Sequence, residues 1–316
     1  MNRAVINRKL NKVPTHVIIV ITLIMWLIPT IGLLVTSFRP LQDINTTGWW
    51  TALSSNRTSD KPRFTLSNYV DAIVGYRGTK SYTEECASGT SVTYKCDTSD
   101  ILNPRGMGRA FLNSLMVTVP SVILPILFAT FAAYAFSWME FKGRMLIFAV
   151  LVGLQVVPLQ MTLVPVLRMY VNLKMNGTFW GVWFFHTGFG LPYSIYLMRN
   201  YIGGLPKDLF ESAYLDGAST WTAFTRLVIP LATPAIASLA IYQFLWVWND
   251  LLVSLTFLGG TKPVMTYQIS NMVTSLGAGW HLLTAAAFLS MLLPMVVFFS
   301  LQKFFVRGML AGAVKG

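Results

Sequence analysis

Val17-Ile-Ile-Val-Ile-Thr-Leu-Ile-Met-Trp-Leu-Ile-Pro-Thr-Ile-Gly-Leu-Leu-Val-Thr-Ser-Phe38 carries no charged side chain. A helix that crosses a hydrocarbon core of about 30 Å needs about 20 apolar residues, and this stretch supplies them. Five further uncharged runs reach that length: Phe111–Met139, Leu146–Leu167, Met175–Met198, Leu227–Asn249 and Leu282–Gln302. Six such runs separated by polar loops predict an all-α membrane protein with six transmembrane helices.

The whole composition agrees. Of 316 residues, 54% are hydrophobic and only 11% charged, against about 25% charged in soluble domains. The mean hydropathy is +0.57. A net charge of +12 would suit nucleic acid, but no Lys/Arg run or basic helix face is present to bind it. Basic residues instead gather beside the apolar runs, as membrane topology requires. The first run is longer than the roughly 7–15 apolar residues of a signal peptide. Ser37-Phe38-Arg39-Pro40 offers no small-x-small cleavage site, so this run is expected to stay in the membrane.

Orientation follows from the Lys/Arg bias of short loops. With the N-terminus inside, inner segments hold Arg3, Arg8, Lys9 and Lys12, then Lys142 and Arg144, then Arg199, Lys207 and Arg226, then Lys303, Arg307 and Lys315. Short outer loops hold only Arg168, Lys174 and Lys262. Both termini are therefore expected in the cytoplasm, residues 1–16 at one end and 303–316 at the other. The long outer loop, 39–110, contains Cys86 and Cys96, the two cysteines of the chain. Two cysteines in one exported loop suggest a disulfide; two free thiols are the alternative. Within the same loop, Phe64-Thr-Leu-Ser-Asn-Tyr69 has the look of a capped short helix. Asn113 and Ser114, near the outer end of the second run, are expected to face protein or water rather than lipid.

Proline is frequent inside the runs, at Pro29, Pro120, Pro125, Pro158, Pro165, Pro192, Pro234 and Pro294. Each removes a helix hydrogen bond that neighbouring helices or water must replace. Ionisable side chains within the runs are scarce, with Asp250 and His186 the ones that qualify. Ion-driven carriers usually show several acidic groups at mid-membrane, so the energy for any transport is expected from elsewhere. No G-x-x-x-x-G-K-[ST] loop occurs, so the chain cannot bind ATP by a P-loop. The histidines, His16, His186 and His281, have no metal-ligand spacing, and no nucleophile elbow is present. Neither an enzyme nor a metal site is indicated.

The inner loop between the fourth and fifth runs reads Gly204-Leu-Pro-Lys-Asp-Leu-Phe-Glu-Ser-Ala-Tyr-Leu-Asp-Gly-Ala-Ser-Thr220. Pro206 suits the first helical position, and Asp208 and Glu211 complement the positive N-terminal end. Leu209, Phe210, Ala213 and Tyr214 fall on one face, and Gly217 is a natural stop. The spacing predicts a short amphipathic helix over 206–215, then a cap at Ser219 opening a segment that leads into the fifth run. Two acids and one Lys on its polar face disfavour anionic lipid, so the helix is expected to meet a partner's groove.

Glu211-Ser-Ala-Tyr-Leu-Asp216-Gly217-Ala218, followed by Arg226-Leu-Val-Ile-Pro230-Leu231, resembles the EAA loop of ABC importer permeases. That pattern is Glu-Ala-Ala-x-x-x-Gly with a later Ile-x-Leu-Pro close; here Ser212 stands for the first Ala, and Ile-Pro-Leu forms the close. Ala132-Ala-Tyr-Ala-Phe136, Phe141-Lys-Gly-Arg144, Phe244-Leu-Trp-Val-Trp-Asn-Asp-Leu251 and Ala311-Gly-Ala-Val-Lys-Gly316 resemble the carbohydrate-uptake permeases of the maltose permease G type. Val157-Pro-Leu-Gln-Met161 and His186-Thr-Gly-Phe-Gly-Leu-Pro192 look similar to alpha-glucoside permeases of that group. The resemblance covers Arg109–Gly316 well and Val17–Arg39 loosely, and leaves the Cys-containing loop unexplained.

The resemblance implies a type I ABC importer permease fold with its core over 109–302 and an EAA coupling loop over 203–230, in the bacterial inner membrane. It implies an F-type permease partner, two ATP-binding subunits that hold ATP and Mg, and an extracytoplasmic sugar-binding protein; this chain would carry no cofactor. Leu209, Phe210, Glu211, Ala213, Tyr214, Asp216, Gly217 and Ala218 would couple to the ATPase, and Ala311, Gly312, Val314, Lys315 and Gly316 would reach it as a tail. Gln155, His186, Trp246, Trp248, Asn249 and Asp250 are candidates for the sugar path, because they join stacking faces to hydrogen-bonding groups. Interfacial Trp and helix-knitting polar residues are the plainer reading of the same cluster. Sucrose, trehalose, maltose and glucosylglycerol are all compatible sugars. An autonomous secondary carrier or channel, or a membrane assembly factor, are the competing functions.

Overall fold

The structure, a computed structural model, describes residues 13–54, 63–75, 101–102, 106–272 and 279–313. Cys86 and Cys96, and Val314, Lys315 and Gly316 of the expected tail, lie outside these residues. Every regular element described is helical: α1 (Val13–Ser37), α2 (Leu41–Thr46), α3 (Ser67–Val74), α4 (Met107–Trp138), α5 (Arg144–Gly153), α6 (Leu159–Asn172), α7 (Phe179–Ile202), α8 (Lys207–Leu215), α9 (Thr220–Trp248), α10 (Leu252–Leu258), α11 (Met265–Ser270) and α12 (Trp280–Ala313). The chain divides into two compact units, residues 1–107 with 269–289, and residues 108–268 with 290–316.

Four described helices are both long and apolar enough to cross a membrane: Pro14–Ser37, Met107–Trp138, Thr220–Trp248 and Trp280–Phe304. A bent pair, Arg144–Val156 and Leu159–Asn172, makes a fifth if it counts as one span. α7 has the length, at 24 residues, but His186, its glycines and its tryptophans and tyrosines dilute its hydropathy. The run expected to form one helix over 146–167 is thus corrected to two helices meeting at 99°. The cause is local. Pro158 disfavours helical backbone at the residue before it, and Val157 is extended at φ −69°, ψ 117°. A 3-10 turn over Leu154–Val156 closes the first half, with Val157 N–H donating to the Leu154 carbonyl at 3.2 Å.

Other prolines stay inside continuous helices, and in three cases the carbonyl four residues earlier finds a donor on another helix. Pro120 leaves the Met116 carbonyl, which accepts from Trp183 Nε1 at 2.7 Å. Pro125 leaves that of Ser121, which accepts a longer bond, 3.5 Å, from Gln243 Nε2. Pro294 leaves that of Ser290, which accepts from Trp248 Nε1 at 3.1 Å. Pro230 is handled differently: the turn before it, Phe224–Val228, is a π-helix. That wider turn relieves the clash a proline ring makes with the carbonyl four residues back.

In the larger unit the core has two parts. At the end carrying α8, Ala129, Ala133, Met198, Ile202, Phe210, Phe224 and Ala232 pack together. Val117, Tyr170, Val182, Phe185, Val247, Val253 and Phe257 form the second part. There Asn113 donates to the Pro263 carbonyl at 2.8 Å, and the Ser114 hydroxyl accepts from Met265 N–H at 2.8 Å. Both polar residues face protein, one of the two surroundings, protein or water, expected for them in place of lipid.

In the smaller unit the end of α1 is tied down by side chains. Asn68 Nδ2 donates to the Ser37 and Arg39 carbonyls at 2.8 and 2.9 Å. Arg39 is buried, and its guanidinium donates to the Asp43 carbonyl and the Thr47 hydroxyl. Burial draws the Arg39 pKa below its ordinary value, while the Asp43 charge opposes that shift. Gly32 admits Trp49 against α1, since a Cβ there would lie 2.7 Å from the indole nitrogen.

Trp248→Phe keeps most of the ring volume but removes the donor to Ser290. Leaving that carbonyl unpaired is expected to cost about 1–3 kcal/mol, read as a lowered denaturation midpoint of the purified chain.

Candidate functional site

α8 begins one residue later than expected, with Pro206 extended (φ −60°, ψ 132°) at its N-cap position and Asp208 in the first turn. Its end follows the sequence reading closely. Gly217 adopts φ +79°, where a side chain is strained. Gly217 N–H donates to the Tyr214 carbonyl at 3.0 Å, and Ala218 N–H to that of Ala213 at 2.9 Å. This pair of bonds is a Schellman motif and satisfies the last carbonyls of α8. Ser219 then caps α9, its hydroxyl accepting from Thr222 N–H at 3.2 Å.

The expected apolar face is divided. Only Phe210 is buried, at 2% exposure, stacked on Trp138 with ring centroids 3.8 Å apart. Ala213 and Ala218 are half-buried. Leu209 and Tyr214 are exposed, with Leu215 exposed beside them at 88%. Glu211, Ser212, Asp216 and Gly217 are exposed as well. One buried aromatic ring and the Tyr214 hydroxyl therefore hold α8 to the bundle, leaving two leucines and the acids on an outward surface. The correction has a physical cause: the burial of a helix face depends on where its partner stands, and Trp138 receives a single ring.

Three helices meet at this anchor. Trp138 closes α4, and its Nε1 donates to the Ile202 carbonyl at the end of α7 at 3.1 Å. Ser137 Oγ donates to the Arg199 carbonyl of α7 at 3.3 Å. The hydroxyls of Tyr214 and Tyr134 lie 3.0 Å apart, and Tyr134 also donates to the Thr220 carbonyl of α9 at 3.4 Å. Phe224 of α9 stacks on Phe131 of α4 at 4.8 Å. Trp138 was missing from the sequence-derived site. Its position at the last residue of an apolar run, facing the loop that holds Phe210, was the available signal.

The candidate sugar-path residues are not brought together in one cleft. Trp248 is buried at 3% exposure, its ring covered by Phe244 at 5.5 Å and Phe111 at 5.8 Å. It offers no stacking face and serves α12 through Ser290 instead. Asp250 caps α10, its carboxylate accepting from the N–H groups of Val253 and Ser254 at 3.1 Å. Its main-chain carbonyl accepts from the Thr266 hydroxyl at 2.7 Å. His186 is fully buried, edge-on to Trp246 at 5.2 Å. Asn249 is exposed, its amide folded back on the Leu245 carbonyl at 2.8 Å. Gln155 is exposed in the turn between α5 and α6. Ala311 and Gly312 belong to the last turns of α12. Among the described residues no group of three or more His, Cys, Asp or Glu side chains stands together to hold a metal.

Comparison with known proteins gives this arrangement a context. Residues 110–311 match the family model of the binding-protein-dependent transport system inner membrane component. The chain is 50% identical over 314 residues to the osmoprotective compounds uptake permease protein GgtD of Synechocystis sp., covering 98% of this chain and 95% of that protein. It is 40% identical over 369 aligned positions to the alpha-glucoside transport system permease protein AglG of Rhizobium meliloti, covering 95% and 96% of the two. In fold it is similar to a chain of a bacterial ABC transporter that imports the acidic polysaccharide alginate. That likeness has a TM-score of 0.63 at 16% identity and covers 96% of this chain and 99% of the other.

Phe210→Ala removes the ring that holds α8, at an expected local cost of about 3–5 kcal/mol. Amide hydrogen exchange over residues 207–217 should accelerate, while that of α7 and α9 stays close to wild type. Gly217→Ala forces a side chain into the left-handed region and should cost about 1 kcal/mol, read in the same exchange measurement.

Proposed function

The chain belongs to the family of binding-protein-dependent transport system inner membrane components, and we propose that it is one permease subunit of an ABC importer for alpha-glucosides or other di- and oligosaccharides, including sugars that act as osmoprotectants. The substrate class is supported by two relatives, one named for alpha-glucosides and one for osmoprotective compounds. In this proposal the chain forms half of the translocation path with an F-type permease, and both termini face the cytoplasm. It crosses the membrane six times, with α7 and the bent α5–α6 pair each counted as one crossing. ATP and Mg are bound by two partner subunits, and a periplasmic protein delivers the sugar.

The observation that carries the coupling role is the attachment of α8. Its outward surface of Leu209, Glu211, Leu215 and Asp216 fits a groove with apolar walls and a basic rim. Its inward contacts lead to three long helices: Phe210 and Trp138 to α4, Trp138 and the Ile202 carbonyl to α7, Tyr214 and Tyr134 to the start of α9. A displacement of α8 by an ATPase would thus be transmitted to α4, α7 and α9 together rather than absorbed in a loose loop. Ala311–Gly316 would meet the same ATPases as an extension of α12. For the sugar path we retain Trp246, Asn249 and Gln155 as contacts. We assign Trp248, His186 and Asp250 to the framework behind them.

Two measurements test this reading. Copurification with the neighbouring transport subunits, followed by reconstitution in proteoliposomes, should give ATP hydrolysis stimulated by the binding protein and sugar. Uptake by this chain alone, driven by an ion gradient, would overturn it. Glu211→Ala should insert and fold normally yet weaken association with the ATPase by about tenfold or more, since a charge pair at an interface is worth about 2–5 kcal/mol when one partner is truncated. Undiminished association and transport would remove Glu211 from the role.

A further inference from the structure

Several polar side chains deep in the larger unit keep at least one atom without a hydrogen-bond partner. Thr118 and Ser121 of α4, Thr187 of α7 and Gln243 of α9 are all at least nine-tenths buried. The hydroxyl oxygens of the first three and Oε1 of Gln243 meet no donor or acceptor, and neither ring nitrogen of His186 does. Inside a membrane bundle such atoms have no bulk water to fall back on.

They are neighbours. Trp183 bonds Met116 near one end of the α4–α7 seam, and Ser137 bonds Arg199 near the other. Both helices thus run the same way, and Thr118 and Thr187 each stand one turn before Ser121 and Gly190, the two residues that Gln243 joins. Gln243 enters at the same level, its Nε2 reaching the Ser121 carbonyl at 3.5 Å. A Cβ on Gly190 would sit 2.4 Å from that Nε2 and 3.3 Å from Oε1. The seam is lined by hydroxyls, one amide and the glycine against which that amide lies. One step along α7, His186 Nε2 stands 3.9 Å from Asp250 Oδ2. That gap is too long for a direct hydrogen bond and is the span one bridging water closes.

We propose that this seam is an internal hydration site, in which ordered water binds Thr118, Ser121, Thr187 and Gln243, with a further water joining His186 to Asp250. Each water would accept and donate to the groups the helices leave unpaired, as buried waters do at other polar sites. Gln243 is the central residue. Its amide supports the carbonyl released by Pro125, and its oxygen accepts from the water that holds the amide in place. The site is a structural one and is independent of the sugar the chain carries.

The sign of a stability change tests the proposal. Thr187→Val and Thr118→Val preserve shape and delete one hydroxyl each. If water satisfies these hydroxyls, each variant of the full-length purified chain loses hydrogen bonds, and its melting temperature falls by about 2–4 °C. If the seam is dry, the same substitution removes an unpaired buried group and the melting temperature stays or rises; that outcome overturns the proposal. A density map that resolves waters elsewhere in the bundle gives a second readout. A peak within hydrogen-bond distance of Gln243 Oε1 supports the site, and a clean gap there overturns it.

Discussion

Inside a bilayer a main-chain carbonyl released by proline has no water to turn to, and the arrangement of the larger unit is organised by that requirement. Trp183, Gln243 and Trp248 come from other helices to the carbonyls released by Pro120, Pro125 and Pro294. Each donor fixes the rotation of its own helix as well as the neighbour it serves. These three prolines therefore stay inside continuous helices without leaving open bonds, and the helices are pinned at defined heights along α4 and α12. At Pro158, by contrast, the helix ends and restarts at a sharp angle.

The same logic places the inner helix. α8 is too short to be stable alone, so it is held by what surrounds it. A Schellman ending at Gly217, a serine cap on the helix that follows, one stacked ring on Trp138 and the Tyr214–Tyr134 hydroxyl contact hold it. Because the anchor is narrow, most of the helix surface stays open. Because the anchor residue Trp138 also bonds α7, what moves the helix must move more than one span. A helix that is exposed and yet tied to more than one long helix is the arrangement a coupling element would need.

How far the sequence could be read differs from element to element. The turn at Gly217 and the cap at Ser219 were legible because glycine alone enters the left-handed region cheaply and a serine hydroxyl reaches the backbone three residues on. Asn113 and Ser114 were legible as protein-facing because lipid offers them no partner. Trp248 was misread as a stacking surface, since an indole looks the same in sequence whether it meets a sugar or a carbonyl 42 residues away. Pro158 and Pro165 stand in the same apolar run, yet only the first ends a helix.

The uncharged run Val17–Phe38 illustrates the division. Length and lack of charge pointed by themselves to helices that can cross a membrane, and four described helices, this run's among them, have the length and hydropathy for it. The EAA-like loop determined the short helix and its stop through backbone preferences that act over a few residues. Only the tertiary structure decided which side of α8 is buried, which prolines are bridged and which break a helix, and which tryptophans are structural. Those outcomes depend on donors and rings brought from helices distant in sequence, and local preference carries no information about their arrival.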